Sequence, residues 1–209
     1  MSADPGTIVE GLQFGLDELR KLVTKLAPQT DAAAERLAAV FNQLGAMYSA
    51  IDTVLSNLLG LTFWKGMKRR DSAQARETLS HLSVKSLQAR FDESRAHCEM
   101  IGDIYDKFLD RFFHKYLSPD EYWETKAIFD KINKGDESFT KVLDSAAIWI
   151  GGEADDLKKL LDTDNYEELR KRYEKTKLEA TKMQDSVAEQ WLILTDLRRT
   201  FVKKTGAVQ

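Results

Sequence analysis

The chain has 209 residues, with 31 Lys and Arg against 34 Asp and Glu, for a net charge of −3. That near balance excludes the basic footprint of a nucleic-acid-binding domain. A single cysteine, Cys98, excludes an internal disulfide framework and fits a reducing, cytoplasmic compartment.

Hydrophobic residues make up 43% and charged residues 31%, with only three Pro and 11 Gly, a mix that predicts an all-α protein built from long helices. The first ten residues lack the basic-then-apolar pattern of a secretory signal. Thr7-Ile8-Val9-Glu10 fits a capping box, with Thr7 as the cap. The helix it opens carries Ile8, Leu12, Leu16, Leu19, Val23 and Leu26 on one face, and Pro28 ends it. Its polar side mixes both signs, whereas surface-seeking helices favour Lys and Arg, so core packing is expected.

A second helix is predicted over 31–63, capped by Thr30 or Asp31. Leu37, Phe41, Leu44, Tyr48, Ile51, Leu55 and Leu58 mark its apolar face, widened by Val40, Met47, Val54 and Leu61. Asp52 is the only charge between Leu37 and Trp64. The stretch is long enough to span a bilayer, but Asn42, Gln43, Ser49, Thr53, Ser56 and Asn57 interrupt it, so a buried central helix is expected. A connector follows over 64–72. Phe63, Trp64, Lys65, Lys68, Arg69 and Arg70 form a candidate contact for an anionic membrane or a partner, with the cations read as helix C-terminal charges. A lesser helix is predicted over 72–82.

Over 83–117 a seam reads Leu87, Phe91, Ser94, Cys98, Ile101, Tyr105, Phe108 and Phe112. Its steps alternate four and three, the coiled-coil period, with Ile104, Leu109 and Phe113 beside it. Ser118-Pro119-Asp120-Glu121 is a capping box with Pro at the first helical position, and the short helix it opens ends near Asn133 or Lys134, before Gly135. Asp136 caps a next helix bearing Phe139, Val142, Leu143 and Ile150, which Gly151-Gly152 stops. A further short helix holds Leu157, Leu160 and Leu161. Asp164 with Glu167 caps a long last helix whose face reads Tyr166, Leu169, Tyr173, Thr176, Ala180, Met183, Val187, Gln190, Leu194, Leu197 and Phe201. The expectation is one elongated bundle over 1–209, standing alone or as the N-terminal module of a longer protein. It has three long helices (31–63, 83–117, 165–204), an N-terminal helix and a cluster of short helices over 119–162.

No residue pattern points to catalysis. A di-iron bundle needs Glu-x-x-His, but His81, His97 and His114 follow Thr78, Ser94 and Arg111 at that spacing. The Asp106, Asp110, His114 row reads as a solvated face. Asp162 to Asn165 resembles the start of a calcium loop, but Glu167 and Tyr173 stand where Gly and Glu are required. Cys98 falls on the apolar seam, and no phosphate loop occurs. Catalytic residues, metal and cofactor are therefore expected to be none. Trp123, Trp149 and Trp191 read as core. Ile148, Trp149 and Ile150 are three apolar residues in a row, which one helix side cannot hold, so they form a candidate partner patch.

The expected function is a non-enzymatic helical module that binds protein partners, a homodimer included. One alternative is a membrane-associated effector using the 63–70 connector and the amphipathic first helix. A second is a small-molecule binder with a pocket lined by Tyr48, Tyr105, Tyr173 or Trp191.

Overall fold

The computed structural model describes residues 4–13, 16, 20, 31–64, 67–134 and 138–205, and among them every regular element is helical. Helix α1 spans Pro5–Leu12, α2 Asp31–Leu59, α3 Arg69–His81 and α4 Val84–Ile104. A π-helical turn over Tyr105–Leu109 joins α4 to α5, Asp110–Tyr116. Helices α6 (Pro119–Asn133), α7 (Phe139–Asp162) and α8 (Tyr166–Thr205) complete the chain.

Four long helical runs form an antiparallel ring. Cys98 lies 3.9 Å from Met47, and Arg36 covers the ring of Phe108 at 4.2 Å, so α4 descends beside α2. Arg95 pairs with Asp144 (2.5 Å), tying α4 to an ascending α7. Arg172 grips Glu153 through two hydrogen bonds (2.9 and 2.6 Å), closing the α7–α8 hairpin. Arg198 donates to the Phe41 carbonyl (2.7 Å), and Tyr173 to the Leu59 carbonyl (2.9 Å), so α8 runs down the length of α2. This is an up-down-up-down arrangement in which α3 links α2 to α4, α5 and α6 link α4 to α7, and a short loop joins α7 to α8. The buried side chains of α8 from Leu169 to Phe201 are the ones its three-four spacing selects. Burial of Tyr173 pushes its hydroxyl up to about 12 while that hydroxyl satisfies carbonyls at the open end of α2.

Several boundaries differ from the sequence expectation. The cap of α1 is Asp4, whose carboxylate accepts from the Thr7 backbone N–H at 3.1 Å, so Thr7 is a donor and not the cap. Asp4-Pro5 combines a strong cap with a preset φ, which favours the earlier start. The expected continuation through Leu19, Val23, Leu26 and Pro28 lies outside the described residues, as do Gly135 and Asp136. Helix α2 ends at Leu59 and is roughly 44 Å long at 1.5 Å per residue.

The capping box at Ser118 is present, with the Ser118 N–H donating to Glu121 Oε2 at 3.0 Å. Gly151-Gly152 does not stop a helix. Helix α7 runs through both, so the bundle has a fourth long helix where short ones were expected. A Cβ on Gly151 would lie 2.5 Å from the backbone N of Val84, and the glycine therefore lets the start of α4 meet the flank of α7. This close packing offsets the poor helix propensity of Gly151, about 1 kcal/mol.

Asp164 is likewise not a cap. It adopts φ 54° after the end of α7, and a Schellman motif forms: Asp164 N–H donates to Leu161 O (3.3 Å) and Asn165 N–H to Leu160 O (3.1 Å). Asn165 caps α8 instead, its Oδ1 accepting from Glu168 N–H at 3.4 Å.

The seam of α4 also departs from its expected course. It follows the predicted positions to Tyr105 and then steps to Leu109 and Phe113, both buried. Phe108 is 48% exposed and Phe112 half-buried. The π turn supplies the reason, since one extra residue per turn rotates everything after it by about one position.

Candidate functional site

The expected contact residues at 63–70 divide between core and surface. Phe63 is buried, its ring edge-on to Tyr173 at 5.1 Å, so it is no surface anchor. Trp64 is exposed, beside a depression of about 330 Å³ shared with Asn57, Met67, Asp71 and Gln74. Lys68, Arg69 and Arg70 are exposed and make no ion pair among the described residues. They stand at the N-terminus of α3, not at a C-terminus, with Lys68 in the cap position and no side-chain cap bond. The helix dipole opposes cations there, and Asp71 is the one acid in the first turn. Lys65 lies outside the described residues.

The patch at 148–150 reduces to one residue. Trp149 and Ile150 are buried and only Ile148 is exposed, which is how a helix must resolve three consecutive apolar side chains. Trp149 borders a polar depression of about 480 Å³ whose main charges satisfy one another. Glu153 accepts from Arg172 and from Thr176 Oγ1 (2.5 Å), which makes the cluster a clasp between α7 and α8.

Of the four aromatic residues considered for a pocket, Tyr48 and Trp191 meet, and Tyr105 and Tyr173 do not join them. They line a groove of about 360 Å³ between α2 and α8, together with Ser49, Asp52, Val187, Ala188 and Leu192. The Tyr48 hydroxyl points away, donating to the Leu12 carbonyl at 3.1 Å. Burial raises its pKa, so the groove sees the ring and not an ionisable group. At one end Gln184 Nε2 donates to Asp52 Oδ1 and to Ser56 Oγ, each at 3.0 Å. At the other, Arg198 is held by the Phe41 carbonyl and by Asn42 Oδ1 (3.1 Å), and burial lowers its pKa.

Trp191 is 39% exposed and Leu192 70%, so Trp191 is not the core residue its spacing suggested, and neither is Trp123, 62% exposed. The signal for this site is present in the sequence. Trp191-Leu192-Ile193-Leu194 are four apolar residues in a row, and the geometry that singles out 148–150 applies to them with more force.

Cys98 is buried, and burial pushes its thiol up to about 12. Among the described residues no three His, Cys, Asp or Glu side chains group as metal ligands would. Asp110 instead accepts from the Tyr122 hydroxyl (2.8 Å), and Asp106 faces Lys134 (3.6 Å). No described helix is long and apolar enough to cross a membrane. No protein-family model matches the chain, and comparisons with curated proteins and with solved structures find no match.

Proposed function

We propose that the chain is a non-enzymatic helical module that binds a protein partner at the α2–α8 groove. The observation that carries this is the adjacent pair Trp191 and Leu192, exposed on the rim of a groove between α2 and α8. Large apolar side chains beside a concavity are how interface hot spots are built, and Trp is the residue most enriched in them. The groove wall on α2 is lightly charged, with Ser49 and Asp52 beside the Tyr48 ring, so a partner can approach the backbone closely at Ser49.

A photo-crosslinking residue at position 192, in cells expressing the full chain, tests the proposal. A protein adduct is expected from 192, lost on Trp191→Ala, and none from the same residue placed at exposed Lys171. Equal adducts at both positions, or none at 192, would overturn it.

A second reading is favoured by the three cations near exposed Trp64 that make no ion pair among the described residues. Lys68, Arg69 and Arg70 would each contribute about 1 kcal/mol toward an anionic bilayer. With Phe63 buried, only Trp64 is left to insert. Flotation with phosphatidylserine vesicles, and its loss when Lys68, Arg69 and Arg70 are all reversed to Glu, would support membrane binding. Absence of flotation rejects it.

A further inference from the structure

Resting on the protein-binding reading of the groove, we infer that its occupant is a basic amphipathic helix of a protein partner, seated apolar side down between α2 and α8 with its Lys or Arg side chains at Asp52 and Asp185. Shape comes first. The groove is a trough between two antiparallel helices, open to solvent, with Val187, Ala188 and Leu192 along the α8 side. A small ligand is held by a site that buries most of its surface, which an open trough does not do. A third helix laying its i, i+3, i+4 side chains into the trough suits it, the helix-in-groove mode of recognition.

Charge selects the kind of helix. Asp52 is the one charged residue between Leu37 and Trp64, and it is exposed on the groove wall. Its hydrogen-bond partner is the neutral amide of Gln184, so its charge is not compensated. Asp185 is exposed on α8, three residues before Ala188 and seven before Leu192, on the row that borders the groove. It makes no ion pair among the described residues.

Two cations lie nearby. Arg198 is turned onto Phe41 and Asn42, and Lys182 pairs with Glu179 at 3.0 Å. Arg198 keeps its charge, since both its partners are neutral oxygens, but it is held at the Phe41 end of the groove, so the free charge at the Asp52 and Asp185 end is acidic. An acidic helix would meet like charge there, and a basic one would find two carboxylates without an ion pair among the described residues.

The test is fluorescence anisotropy of the full chain with two labelled amphipathic peptides, one of Leu and Lys and its counterpart of Leu and Glu, at physiological salt. The Leu–Lys peptide is expected to bind about tenfold more tightly. Asp52→Asn with Asp185→Asn should remove most of that preference, and Glu167→Gln, an exposed acid far along α8, should leave it. Circular dichroism of each variant confirms that the fold is kept.

Equal binding of both peptides overturns the inference and leaves the docking groove standing. A Lys preference that survives the double substitution, or that Glu167→Gln lowers as much, also overturns it, since general acidity would then be the cause. Binding of neither peptide, with the position-192 adduct still formed, sinks the basic helix alone. Loss of both peptide binding and adduct sinks the protein-binding reading as well.

Discussion

Gly151 and Gly152 are neighbours in α7 with opposite surroundings. A Cβ at Gly151 would meet Val84 backbone atoms at 2.5 and 2.7 Å, while one at Gly152 meets nothing within 4 Å. Gly151→Ala should therefore cost about 1–3 kcal/mol through overpacking against backbone that cannot yield. Gly152→Ala should stabilise by up to about 1 kcal/mol, because Ala is the better helix former. Thermal melts decide it, at about 2–4 °C per kcal/mol for a chain of this size. Cys98 supplies a second test at this scale. With its pKa pushed from 9.0 to about 12 by burial, the thiol keeps its proton in the folded chain at pH values where the unfolded chain loses it. Its contribution to stability is complete below pH 9 and declines between about 9 and 12, at up to about 1.4 kcal/mol per pH unit. Tyr48 and Tyr173, raised in the same direction, steepen the loss at higher pH. Cys98→Ala should flatten the part of the slope nearest pH 9 in denaturant titrations across this range. An unchanged slope would mean that the thiol is not buried.

The π turn after α4 shows where periodicity stops being informative. Phe108 and Phe112 continue the three-four seam in the sequence, yet Leu109 and Phe113 occupy the core. Both registers are apolar, so hydrophobicity cannot choose between them, and packing against Tyr105 and Phe129 decides. The rings of Tyr105 and Phe129 stack at 4.5 Å, and Phe113 lies 6.0 Å from Phe129. Leu109→Ala should cost about 2–5 kcal/mol and Phe108→Ala well under half of that; a straight α-helical seam would reverse the order. Deletion of exposed Lys107 is a sharper test. Removing one residue from the π turn restores α-helical spacing, so Tyr105, Leu109 and Phe113 fall on a regular four-three seam and the fold should survive. Deletion of exposed Glu99 would instead rotate Ile101 and Tyr105 out of the core, with a much lower melting temperature. The faces of α2, of α4 as far as Tyr105 and of α8 were legible because each has one apolar register and many turns to display it. The continuity of α7 was not, because Gly151 is packed inside the helix by the approach of Val84, distant in sequence. The caps at Asp4 and Asn165 were missed because neighbouring residues competed for the same role.

At the scale of the whole molecule, the same distinction governs what could be read of the site. Consecutive apolar residues on a helix must leave one outside, and that much is visible at 148–150 and at 191–194 without any structure. Which one is left outside, and whether it stands alone like Ile148 or beside a concavity like Trp191, depends on the neighbouring helix and is invisible in one strand of sequence. Phe63 illustrates the converse: it looked like a surface anchor, and the arrival of Tyr173 from far along the chain buries it. The long seams, which in isolation suggest strand-to-strand assembly between copies, are covered within one chain: Leu87, Phe91, Cys98 and Ile101 on α4, and Leu169 to Phe201 on α8, are buried by their own neighbours. Among the described residues the other exposed large apolar side chains, Trp64, Met100, Phe108, Trp123, Ile148, Leu178 and Val202, are separated in sequence, and only Trp191 and Leu192 are adjacent, a patch smaller than an obligate homodimer needs. The purified chain should therefore scatter light as a monomer over a broad concentration range after size exclusion, and Leu192→Glu should leave its mass unchanged. A concentration-dependent dimer that Leu192→Glu dissociates would put a second copy of the chain in the groove, and the proposal of a separate basic partner would fall with that result. A dimer indifferent to Leu192→Glu would place the assembly surface elsewhere, on the exposed aromatic side chains Phe108 and Trp123, and leave the groove free for its own occupant.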